Sequence, residues 1–191
     1  MRITGGTLKG RALITPPKKE ISIRPLRSRI RKALFDVLGE NLAGFLVLDL
    51  FAGTGALGIE ALSRGAHFAI FVDNNSLSLN IIQKNLEKLG LKEKAKILKL
   101  TLPEEINKIT ALVKNTHKKF DLIFITPPYG KGLAEKTLQQ LPSHLYKDSS
   151  TVVVEERSTI SLNIPSEKFI CEKKKTYGET TLYFLKPVKS K

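Results

Sequence analysis

The sequence predicts an α/β fold built on a seven-stranded, mostly parallel sheet with helices on both faces. Three observations predict it: five short apolar runs, helical segments falling between them, and a tail that abandons this alternation for two consecutive strands. Strands without a polar face suit burial on both sides, and parallel pairing requires crossover connections of the kind those helices supply. In such sheets ligands bind beyond the carboxyl ends of the strands.

The elements follow in chain order. Residues 1–24 carry Gly5, Gly6, Gly10, Pro16 and Pro17 among short β-prone pieces, which reads as a small hairpin and an extended arm. From Pro25 the texture changes: Ile30, Leu34, Val37 and Leu38 recur at helical spacing, with Pro25 suited to a first turn and Gly39 to a helix end. Strands are expected at 45–50, 69–73, 95–100, 120–125 and 151–156, with helices near 57–64, 76–89, 104–115 and 132–141. EKFICEKKKTY and TTLYFL, separated around Gly178, read as an antiparallel terminal hairpin at a sheet edge, with Cys171 a packing residue. The expected division is an arm at 1–24 and one domain at 25–191.

Composition narrows the function. A chain of 191 residues, 41% hydrophobic and 26% charged, is expected to form one globular domain, and no window approaches a membrane span. One cysteine forms no intrachain disulfide and the opening residues lack a signal-peptide core, so a cytoplasmic protein is expected. Lys and Arg number 32 against 18 Asp and Glu, giving a net charge of +14, which suits a polyanionic partner. His67, His117 and His144 lack metal-ligand spacing, so no metal is expected, and a monomer is the default state.

The sharpest local feature is LDLFAGTGALGIEALSRGA at 48–66, an apolar strand followed by Gly53, Gly55 and Gly58 at the opening of a helix. Glycines there permit a tight turn and close ligand approach, and the helix start offers free N–H groups. The glycine spacing alone fits nicotinamide, flavin and S-adenosylmethionine cofactors equally. Asp73 ends the next strand 20 residues past Gly53, where a carboxylate can accept from ribose hydroxyls, with Asn74 beside it. A second run, FDLIFITPPYGKG, ends a strand in Thr126, Pro127, Pro128 and Tyr129. Tandem prolines cannot continue a central ladder, so they fix a rigid exit where chemistry in this architecture takes place.

Both runs resemble known motifs. Because the acidic residue precedes the glycines, D-x-F-x-G-x-G resembles motif I of class I methyltransferases, which bind S-adenosylmethionine. The resemblance implies contacts to the methionine moiety from Asp49, Phe51, Ala52, Gly53, Thr54 and Gly55, and places Thr101 and Leu102 beside the adenine. Thr-Pro-Pro-Tyr resembles the (Asp/Asn)-Pro-Pro-(Tyr/Phe) motif of enzymes that methylate exocyclic base amines. In that family the first residue and the first proline's carbonyl hold the amine's N–H groups, and the aromatic ring stacks on an unstacked base. Thr126 departs from it, offering a hydroxyl in place of a carboxylate or amide.

The N-terminus narrows the substrate. MRITGGTLKGRALITPP followed by RPLRSRIRKALFDVL resembles the opening of the RsmD family, and the likeness continues through ALGIEALSRGA, TPPY, VVVEE and YGETTLYF. It implies methyl transfer from S-adenosylmethionine to N2 of one guanine in 16S rRNA, as naked RNA or in an assembling 30S subunit, without metal or covalent intermediate. Arg24, Arg27 and Arg31, at three- and four-residue intervals, would share one helix face with Ile30 and Leu34 turned to the core; with Arg2, Lys9 and Arg11 on a flexible arm they suit phosphates. The rivals are a degenerate RNA-binding relative weakened by Thr126, a DNA adenine-N6 methyltransferase, and a nicotinamide oxidoreductase.

Overall fold

The computed structural model describes residues 1–17, 28–113 and 119–189, apart from the side chains of Leu112 and Val113, and forms two compact units, Met1–Lys99 and Leu100–Lys191. The first unit opens with the expected hairpin, reduced to an antiparallel bridge between Arg2 and Ala12. The Ile3 N–H donates to the Arg11 carbonyl at 3.0 Å and the Gly10 N–H to the Ile3 carbonyl at 2.9 Å, while Ile3 and Leu13 turn inward.

Then follow α1 (Ser28–Leu38), β1 (Leu46–Leu50), α2 (Ala56–Ser63), β2 (Phe68–Asp73), α3 (Ser76–Leu89) and β3 (Ala95–Lys99). β2 pairs in parallel with both β1 and β3. Val47, Leu48 and Leu50 of β1 and Phe71 and Val72 of β2 are buried, each burial worth about 1.5–3 kcal/mol. Gly39 closes α1 as the sequence predicts, with φ +98° and an N–H donated to the Phe35 carbonyl, and the structure adds Asn75, which caps α3 by accepting from the N–H groups of Leu77 and Ser78.

The second unit contains α4 (Asn107–Val113), β4 (Phe120–Ile125), α5 (Leu133–Gln140), β5 (Tyr146–Arg157), β6 (Phe169–Tyr177) and β7 (Thr180–Pro187). β4 and β5 pair in parallel, and β7 lies antiparallel to both β5 and β6. The seven strands are those of the expected mostly parallel sheet with an antiparallel terminal pair, in the order β3-β2-β1 within the first unit and β4-β5-β7-β6 within the second.

Three expectations are corrected. β5 starts at Tyr146, five residues before the predicted strand, because Lys147, Asp148, Ser149 and Ser150 hide it behind polar residues. The register with β4 shifts there, and Ser150 stitches the irregularity: its hydroxyl accepts from the Lys147 N–H at 2.8 Å and donates to the Phe120 carbonyl at 2.7 Å. α4 starts at Asn107 and not near 104, since the preceding residues form turns in which the Glu105 N–H reaches the Thr101 carbonyl. Cys171 is exposed, not packed, because among the described residues β6 pairs only with β7, and it buries just Phe169. Among the described residues no helix is long and apolar enough to cross a membrane.

Candidate methyl-donor loop and base-amine site

In the first unit the carboxyl ends of β1 and β2 bring together the acidic and glycine residues singled out in the sequence. Asp49 is buried, and its Oδ2 accepts the Gly58 N–H at 2.9 Å, capping the third residue of α2 from the strand behind it. Its other oxygen, Oδ1, is buried without a hydrogen-bond partner among the described residues. Burial pushes the Asp49 carboxyl up to about 8, the Gly58 N–H opposes this, and the nearby Asp73 charge adds to it. A buried acceptor with open capacity is costly unless something donates to it, and here it lies behind a helix start.

The loop between them is tightly specified. Phe51 stands at φ 59°, a left-handed conformation that costs a non-glycine residue roughly 1 kcal/mol or more and concentrates at ligand-binding turns. The Gly53 N–H donates to Asp73 Oδ2 at 2.8 Å, and the Asn75 N–H to Asp73 Oδ1 at 2.8 Å. Each carboxylate oxygen keeps a further lone pair, so Asp73 retains capacity for ribose hydroxyls. Thr54 and Ala52 are buried, and Gly55 enters α2 at φ +74°. A Cβ on Gly58 would lie 2.3 Å from Phe71 Cε1, so only glycine lets α2 pack this closely on β2. Asn74 is exposed.

The arm is docked on this same unit, which corrects the flexible arm of the sequence reading. Thr4 donates its N–H and its hydroxyl to the Glu60 carboxylate, the hydroxyl at 2.7 Å. Glu60 also takes Arg31 Nε and Arg64 Nε, each at 3.2 Å, with the Glu60 and Arg31 side chains wholly buried. Arg31 further donates to the Arg2 carbonyl and to Met1 Sδ. Burial pulls its guanidinium below the usual value, and the Glu60 charge counters that. Arg31 is therefore not offered to phosphate: the three- and four-residue spacing turned it toward the arm and α2, where a carboxylate already waits. Arg24 and Arg27 lie outside the described residues. Arg2, Lys9 and Arg11 are exposed, with one Arg2 Nη1 hydrogen bond to the Gly10 carbonyl at 2.8 Å.

Close approach fixes the docking. A Cβ on Gly6 would lie 1.9 Å from the Ser63 carbonyl oxygen, and φ there is +75°. Ser63 Oγ donates to the Gly5 carbonyl at 2.7 Å and accepts from the Leu8 N–H at 3.0 Å. Asn85, wholly buried on α3, accepts from the Ile14 N–H at 2.7 Å and donates to the carbonyls of Ile14 and Thr54, tying the arm and the glycine loop to one side chain. Sequence reasoning singled out neither Glu60 nor Asn85. A polar residue on the apolar side of a helix was the available signal.

In the second unit Thr126 follows the last residue of β4. Pro127 is buried and Pro128 exposed, while Thr126 and Tyr129 are half-buried, so the tandem prolines do end the strand. The Tyr129 hydroxyl donates to Glu155 Oε1 and lies 3.0 Å from Thr180 Oγ1, and the Arg157 guanidinium stands 6.0 Å from its ring centroid. Glu155 and Arg157 were visible in the sequence only as part of a strand end. Thr101 is exposed, its N–H donated to Glu105 Oε2 at 2.7 Å, and Leu102 is buried.

The chain is similar to known proteins over nearly its whole length. The family described as Conserved hypothetical protein 95 matches residues 1–186. Ribosomal RNA small subunit methyltransferase D of Buchnera aphidicola is 33% identical over 91% of this chain and 87% of its own length. The protein of the same name from Escherichia coli is 28% identical over 94% and 86%. Among solved structures, Thermus thermophilus hypothetical protein TTHA0928 superposes with a TM-score of 0.77 at 30% identity, covering 96% of this chain and 98% of its own. The chain belongs to the Conserved hypothetical protein 95 family, the family of the RsmD methyltransferases.

Proposed function

We propose that this protein transfers a methyl group from S-adenosylmethionine to the exocyclic N2 of a guanine in 16S rRNA, in the cytoplasm, during assembly of the small subunit. The observation that carries the reading is the buried Asp49 Oδ1 at the mouth of a glycine loop, without a hydrogen-bond partner among the described residues. The donor's ammonium group matches that oxygen in charge and hydrogen bonding, and its ribose hydroxyls match the remaining capacity of Asp73. When bound, its sulfonium supplies an electrophilic methyl group.

The chain's own residues have the remaining tasks. The Pro127 carbonyl and the Thr126 hydroxyl accept the amine's two N–H bonds, which turns its lone pair toward the methyl group for in-line attack. Methylated, the amine would become acidic, and with both acceptors on the chain uncharged its extra proton would leave to solvent. Tyr129 stacks on the base once it is drawn from its surroundings. Names of relatives that act on small-subunit RNA and a net charge of +14 support RNA over a neutral substrate.

The experiment is transfer of labelled methyl to 16S rRNA and to small-subunit particles, followed by mass mapping of the modified nucleotide. N2-methylguanine is expected. Methylation of duplex DNA adenine instead would overturn the reading, and binding of S-adenosylhomocysteine with no transfer to any RNA would identify a degenerate binder. Calorimetry against NAD excludes or supports an oxidoreductase.

A further inference from the structure

We infer that Glu155 is a positioning residue for the methyl-accepting base, acting through the hydroxyl of Tyr129. The inference rests on the methyltransferase reading above and extends it to a residue in a different strand. Tyr129 sits in the loop after β4, where a side chain with two rotatable bonds would ordinarily sample several rotamers. Here the ring is held at both ends. At its root, Pro127 and Pro128 fix the backbone. At its tip, the hydroxyl donates to Glu155 Oε1 and lies 3.0 Å from Thr180 Oγ1.

Those two partners are themselves rigid. Glu155 and Thr180 are both buried at 8% exposure, and they belong to β5 and β7, whose ladder runs from Val152 opposite Leu185 to Arg157 opposite Thr180. Arg157, at the end of the same strand, flanks the ring at 6.0 Å. Swinging the ring out of place breaks both hydroxyl contacts, one of them to a carboxylate, and charge-assisted bonds are the stronger kind. The stacking surface is thereby set before a base arrives, so base capture does not have to order it.

The test measures methyl transfer to small-subunit RNA by the full chain and its variants. Glu155→Ala is expected to raise KM for RNA about 10- to 100-fold, with S-adenosylhomocysteine affinity unchanged. Glu155→Gln, which keeps an accepting oxygen, recovers most of that loss. Tyr129→Phe removes the hydroxyl through which Glu155 acts, so Glu155→Ala costs nothing further in that background. A separate readout needs no turnover: the chain has four tyrosines, and in protein carrying 3-fluorotyrosine the fluorine resonance assigned through Tyr129→Phe shifts in Glu155→Ala.

Additive losses in the double variant, an equal loss of donor affinity, or an unmoved Tyr129 resonance would each overturn the inference. A moved resonance with unchanged RNA kinetics overturns it too, leaving Glu155 a structural partner only. If the unaltered protein methylates no RNA although the resonance moves, the methyltransferase reading has failed, and the positioning role falls with it while the contact stands.

Discussion

Glu60 Oε2 and Arg31 Nε meet at 3.2 Å with neither side chain exposed, and this pair joins the N-terminal hairpin, α1 and α2. Its carboxylate also receives Thr4 and Arg64, so the charges are compensated on several sides. A buried pair of this kind adds little or nothing to stability relative to well-packed apolar residues, but removing one partner strands the other. Glu60→Ala is therefore expected to destabilise the protein by about 3–5 kcal/mol, read from urea unfolding midpoints at constant m. A loss below about 1 kcal/mol would mean that water reaches Arg31 in the folded state.

The same contact separates the basic residues into two kinds. Lys9 and Arg11 are exposed, whereas Arg31 is wholly buried. Replacing Lys9 or Arg11 with Gln should leave stability unchanged and lower the salt slope of RNA binding by about 0.7–0.9 per side chain. Arg31→Gln should lower stability at matched RNA salt slope. Filter binding across a salt series, beside thermal unfolding, checks both; an unaltered slope in the Lys9→Gln, Arg11→Gln double variant would remove the arm from the RNA interface.

Much of this was legible in sequence because period and punctuation agree. The apolar runs of β1, β2 and β4 have no polar alternate, and Gly39 marks a real helix end. The geometry of the glycine loop was legible for the same reason: Asp49, Gly53 and Asp73 are placed by strand ends, which sequence locates well. Contacts made across long separations were not. Glu60 to Thr4, Asn85 to Ile14 and Tyr129 to Glu155 each join residues far apart in the chain, and nothing in local spacing announces them. Arg31 shows the cost: helical spacing identified a face of α1 but not what covers it. The start of β5 was hidden because its first turn of pairing is made by polar side chains.

Asp49 makes stability and ligand affinity depend on pH in opposite directions. Its folded carboxyl is raised from 3.8 to about 8, chiefly by burial, so the folded chain holds a proton that the unfolded chain releases. The stability this contributes is fully present below the unfolded value, near 4, and is lost as pH rises through about 8. Asp49→Asn removes that dependence. An ammonium at Oδ1 favours the carboxylate, so S-adenosylhomocysteine affinity should climb as pH rises toward 8. Calorimetry at several pH values checks this against the Asn variant, where any residual slope belongs to the ligand's own amine. Identical slopes in both proteins would show that Asp49 does not meet the ligand.

Thr126 sets the rate of the proposed reaction more than its occurrence. It follows β4 directly, with the buried Pro127 beside it and its own side chain half-buried. A hydroxyl accepts one N–H bond without charge, whereas a carboxylate bond is worth about 1.5–3 kcal/mol. If the roughly 1–1.5 kcal/mol by which a carboxylate bond exceeds a neutral one (about 0.5–1.5 kcal/mol) is felt in the transition state, Thr126→Asp raises kcat roughly 5- to 13-fold, with Thr126→Asn falling between. The measurement is single-turnover methyl transfer to small-subunit RNA at saturating donor, which isolates chemistry from product release. A gain confined to KM would place Thr126 in base binding alone, and a loss in both variants would mean that its short hydroxyl is the acceptor the amine geometry requires.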